Sequence, residues 1–85
     1  MDYVARTSQQ LAAILKSRRA QRGLTQSSAG QLVGLGQKTV SSIETDAERS
    51  STATLFKLLS ALELELVIRD KQAGARAPAG KKASW

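Results

Sequence analysis

Eighty-five residues allow one domain, and thirteen Lys and Arg against seven Asp and Glu leave a net charge of +6. Cysteine and histidine are both absent, which excludes a disulfide framework, zinc sites of the usual Cys/His kind, and Ser-His or Cys-His nucleophilic pairs. No run approaches 18 apolar residues and the opening MDYVARTSQQ does not read as a signal peptide, so the expectation is a soluble, cytoplasmic basic module that binds something acidic.

A chain this short buries only about 60% of its unfolded surface and is marginal without a staple or a partner. Residues 1–6 read as an N-terminal arm. Thr7 or Ser8 can cap a first helix, in which Leu11, Ile14, Leu15 and Arg18 share one face at i, i+3, i+4 and i+7. Gly23 stops it, with Arg18, Arg19 and Arg22 in the last turns where cations suit the helix dipole. Thr25 caps a second helix that opens at Gln26, runs through Leu32 and Val33, and closes at Gly34. A third is expected from about Gln37 to Thr45, burying Val40 and Ile43. Asp46 to Ser51 reads as a polar loop. Ser51 or Thr52 caps a fourth helix with apolar Leu55, Phe56, Leu58, Leu59 and Leu62.

After Leu62 the period changes from 3.6 to 2. Leu64, Leu66 and Ile68 alternate with Glu65, Val67 and Arg69, the pattern of a half-buried strand. No second convincing strand exists in the chain, so the expected solution is antiparallel pairing with a second copy through Leu64, Leu66, Val67 and Ile68. Residues 7–70 are thus expected to form one domain that ends in the dimerisation strand. The remainder, 71–85, is an Ala/Gly/Lys-rich basic stretch without periodicity and is expected to be disordered.

Two short helices joined by a glycine-bearing turn in a basic chain form a helix-turn-helix pattern. In LTQSSAGQLVGLGQKTVSSIE, Ala29 is small where the second helix must approach, and Gly34 can take a positive φ at the turn. Arg19, Gly23-Leu24-Thr25-Gln26, Ala29, Gly34, Gln37, Val40-Ser41 and Ile43-Glu44 resemble, in order and spacing, the lambda-repressor-type or Xre-type family. Gly30 and Gly36 depart from it. Gly30 stands where Ala or a larger residue is usual, and Gly36 replaces a Ser or Thr cap at a cost of a few tenths of a kcal/mol. The resemblance implies an all-α, lambda-repressor-like domain of four to five helices, here with one C-terminal β-strand pairing across a homodimer. Downstream, LFKLLSALELELVIRD and the terminal Trp85 resemble the HipB-type antitoxins, autorepressors that partner HipA-like kinase toxins.

The resemblance also implies roles. Gln26 corresponds to a residue that holds phosphate and braces the recognition-helix glutamine, which here is Gln37. Gln37 and Lys38 begin the helix expected in the major groove, where Gln reads adenine bidentately and Lys reads guanine or holds phosphate. Ser42 lies one turn on from Lys38. Thr39 is a candidate for phosphate or a thymine methyl, and Arg18 and Arg49 are basic residues near plausible phosphate paths. For each of these the alternative is a solvated side chain. Arg19 and Glu44 correspond to a buried ion pair joining the first and third helices. Trp85, the only tryptophan, is a candidate anchor for a protein partner. Glu63 and Glu65 imply no cleft, and no catalytic residue, metal or cofactor is expected.

The reading is then a dimeric, sequence-specific repressor of a palindromic operator that also serves as antitoxin to a HipA-like kinase, in the bacterial cytoplasm at the nucleoid. A stand-alone Xre-type regulator is the alternative. A protein-interaction module with only non-specific nucleic-acid binding is a third.

Overall fold

The computed structural model describes residues 2–71. In chain order it holds α1 (Ser8–Gln21), α2 (Gln26–Val33), α3 (Gln37–Thr45), a 3-10 turn (Ala47–Arg49) and α4 (Thr52–Ala61). The first amides of a helix have no intrahelical acceptor, and short polar side chains supply one. Thr7 accepts from the Gln10 amide ahead of α1, and Ser51 from the Thr54 amide ahead of α4. At α2 the exchange is reciprocal: Thr25 accepts from the Ser28 amide and the Ser28 hydroxyl accepts from the Thr25 amide. Gly36 provides no such bond to α3, as expected from the missing hydroxyl.

The helices α1 and α4 end alike. The Gly23 amide donates to the Ala20 carbonyl and the Leu24 amide to that of Arg19, at 3.0 and 3.1 Å. The Glu63 amide donates to Ser60 and the Leu64 amide to Leu59, at 3.0 and 2.9 Å. Both are Schellman motifs, and in both the following leucine folds back onto the core. The residue at the turn has φ +71° in one and +58° in the other, and only the first is glycine. Glu63 carries a Cβ penalty that Gly23 avoids.

Leu15, Val40, Ile43, Leu58 and Leu62 are fully buried at the centre, one or two from each of α1, α3 and α4 with the residue that follows it. Ala29 is buried where α2 crosses them, as its size predicts. The tightest approach is one residue later. A Cβ on Gly30 would stand 2.3 Å from the Leu35 carbonyl oxygen, and the Leu35 amide donates back to the Gly30 carbonyl at 2.8 Å. Glycine replaces the family's usual residue there because the α2–α3 turn occupies the space of a side chain.

Two local expectations change. The 46–51 segment contains the 3-10 turn, whose Ala47 is buried in the core. Phe56 keeps helical spacing but faces outward, 47% exposed.

The N-terminal arm runs back along α1, with the Tyr3 hydroxyl donating to Gln21 at 3.2 Å. At the other end, residues 64–70 are in neither helix nor ladder within the single chain. Leu64 packs on the core, whereas Leu66, Val67 and Ile68 are 52, 64 and 86% exposed. The expected strand therefore has no partner among the described residues. No helix among the described residues is long and apolar enough to cross a membrane. Residues 72–85, Trp85 included, lie outside the described residues.

Candidate nucleic-acid interface

Four side chains connect the interior to the first turn of α3. Arg19, on the last turn of α1, donates through Nε to Glu44 Oε2 at 2.6 Å and through Nη2 to Glu44 Oε1 at 3.1 Å. Its Nη1 donates to the Leu24 carbonyl at 2.8 Å. The Glu44 side chain is almost wholly buried. The hydrogen bond and the charge of Glu44 raise the guanidinium pKa above its ordinary value, against the opposing effect of burial. A raised cationic pKa gives stability that is present below the unfolded value and lost only above it, so the Arg19 guanidinium keeps its charge through the neutral range.

Glu44 Oε1 also accepts from Gln26 Nε2 at 3.1 Å, and Gln26 Oε1 accepts from Gln37 Nε2 at 2.6 Å. The first residue of α2 and the first of α3 are thereby locked together. Both expected relations, the Arg19–Glu44 pair and the brace of Gln37 by Gln26, are present.

An open depression runs along the outer face of α3 to the 3-10 turn, lined by Gln37, Lys38, Ser41, Ser42, Thr45, Asp46 and Arg49. Every lining residue is polar. Of the expected contacts, Gln37, Lys38, Ser42 and Arg49 come together here, with Gln26 joined through Gln37. Thr39 is exposed but lies outside the depression. Arg18 turns inward, its Nε donating to the Leu62 carbonyl at 3.2 Å, and serves the end of α4.

The expectation omitted Ser41, Thr45 and Asp46. Ser41 and Thr45 follow Gln37 at i+4 and i+8, so the helical period alone would have found them. Asp46 accepts from the Glu48 amide and, at 3.1 Å, from Arg49 Nε. This leaves both Arg49 terminal nitrogens for an anion at the lip of the groove.

A surface with two cations, a braced amide and several hydroxyls along an exposed helix and the 3-10 turn after it is suited to phosphates and base edges. Comparisons with known proteins agree. The Helix-turn-helix family model matches residues 15–68. Antitoxin HipB of Escherichia coli O6:H1 is 36% identical over 77 residues, covering 89% of this chain and 82% of that protein. Antitoxin HipB of Escherichia coli K12 is 34% identical over 77 residues, covering 89% and 88%. A HipB variant in complex with an O2 20mer superposes with a TM-score of 0.80 at 30% identity, over 85% of this chain and all of that one. A chain from a HipA-HipB-O2-O3 complex does so at 0.77 and 32% with the same coverage. This chain belongs to the helix-turn-helix family and, within it, to the HipB antitoxins.

Proposed function

We propose that two copies of the chain bind a palindromic operator of their own operon, repress it, and neutralise a HipA-like kinase toxin. The observation that carries the DNA reading is the braced Gln37 at the head of an exposed polar groove with Lys38 and Arg49. Gln37 reads an adenine through its free Oε1 and remaining Nε2 hydrogen. Lys38, Arg49 and Gln26 hold phosphates, and Ser42 and Thr39 flank the base contact. The antitoxin role is supported by the two HipB relatives and by the likeness to a chain of a HipA-HipB complex.

The dimer is supported by the 64–70 segment, whose exposed Leu66, Val67 and Ile68 follow a core-anchored Leu64. Antiparallel pairing of two such segments closes both backbone ladders and buries these side chains. Half-sites then lie about one helical turn, ~34 Å, apart or a multiple of it. Trp85 is proposed as an anchor on the toxin, since a single aromatic in a pocket supplies a large share of interface energy.

The test is footprinting on the chain's own promoter, followed by titration of that duplex and a scrambled one at matched salt. Protection of a palindrome with at least a thousandfold preference is expected. Equal affinity for both duplexes overturns the reading.

A further inference from the structure

The four linked side chains have a direction. Glu44 carries no proton to give, because its two oxygens are held by donors from Arg19. Gln26 must therefore turn its nitrogen inward to Glu44 and its oxygen outward. Gln37 must in turn give its nitrogen to Gln26, which leaves Oε1 and one Nε2 hydrogen facing the groove. An acceptor beside a donor is the complement of adenine in the major groove, whereas two donors complement the paired acceptors of guanine.

We infer that Glu44, which lies inside the protein and has no path to DNA, is a positioning residue that sets base preference by fixing the polarity of Gln37. This rests on the proposed DNA reading and deepens it.

Glu44→Gln releases the direction. The single amide oxygen can take the Oε2 place and accept from Arg19 Nε, or the Oε1 place and accept from Arg19 Nη2 and Gln26, and the carboxylate no longer forces one orientation on Gln26. In the first arrangement Gln26 presents its oxygen inward and its nitrogen outward. Gln37 answers with its oxygen, and its NH2 group is left at the groove with two donors. A residue that only supported the fold would weaken binding to all duplexes alike.

The experiment uses the full chain and a set of promoter duplexes, each with one base pair of the footprint replaced. For the unmodified chain, changing one A·T pair in each half-site to G·C is expected to weaken binding about tenfold or more. Gln37→Ala identifies that pair by abolishing the preference. Glu44→Gln is expected to lower the A·T over G·C preference at that pair at least about threefold and to leave the ranking at the other positions unchanged.

Gln26→Leu guards against loss of fold in the first variant, because it cuts the link without touching the ion pair. It is expected to keep the helical circular dichroism and to reduce the A·T preference without creating one for G·C. A folded Glu44→Gln protein whose A·T preference is undiminished overturns the inference, as does an undiminished preference in Gln26→Leu. Absence of any footprint from the unmodified chain overturns the DNA reading itself, and the inference with it.

Discussion

The outer face of α3 and the segment after α4 are built on opposite rules. The face is polar, and its central side chain is tied through Gln26, Glu44 and Arg19 to the interior. The segment is apolar, and beyond Leu64 its side chains are exposed among the described residues, Ile68 reaching 86%. The first is complete in one copy. The second is the part that the proposed dimer would complete with another chain. A small domain that cannot bury enough surface alone has placed its deficit at one end, away from the side chains that must be held still.

The sharpest way to break the first region is Glu44→Ala. It leaves the Arg19 guanidinium part-buried without its carboxylate and frees Gln26, and we expect a loss of roughly 3–5 kcal/mol in denaturant unfolding. Next is Gly30→Ala, whose new Cβ meets the backbone oxygen of Leu35 at 2.3 Å. The α2–α3 turn must shift, at a cost of about 3 kcal/mol, and operator affinity should fall because Gln37 moves with it. Both act on the single chain and should leave the residual dimer contact intact.

Val67→Pro tests the second region alone. Proline removes one ladder donor from each copy, so sedimentation should show dimer dissociation weakened by about 2 kcal/mol, roughly thirtyfold, with unchanged helicity. A monomer at micromolar concentration in the unmodified protein would end the dimer reading. The smallest effect, and one of opposite sign, is expected from Gly36→Ser. A hydroxyl at the uncapped start of α3 should raise the free energy of denaturant unfolding by about a few tenths of a kcal/mol without loss of DNA binding.

Helix placement was legible because its signals are local. Thr7, Thr25 and Ser51 announce starts, and Gly23 and Gly34 announce stops, within one turn of the residues they serve. The Arg19–Glu44 pair and the Gln26–Gln37 brace span 25 and 11 residues, and only the family resemblance made them visible. Ala47 was missed because a three-residue turn is too short to show a period. Phe56 was misplaced because an apolar residue at helical spacing reads as core whether or not a neighbour covers it. Gly30 had been read as a departure from the family pattern. Its reason, the Leu35 carbonyl, is a tertiary fact that no spacing rule contains.

Arg18, Arg19 and Arg22 reach from the last turns of α1 to Leu62, Glu44 and Glu63, across 44, 25 and 41 residues. The turn between α2 and α3 closes with bonds between near neighbours, such as Leu35 to Gly30. Loop closure makes distant contacts late ones, so the expected order is α2 with α3 first and α1 docking once the chain has reached α4. Substitutions at the three arginines should then hasten unfolding while leaving the refolding rate nearly unchanged, whereas changes at the α2–α3 turn should slow refolding. With that outcome the arginine-rich end of α1 is a latch on the folded state, setting how long the protein stays folded more than how fast it folds.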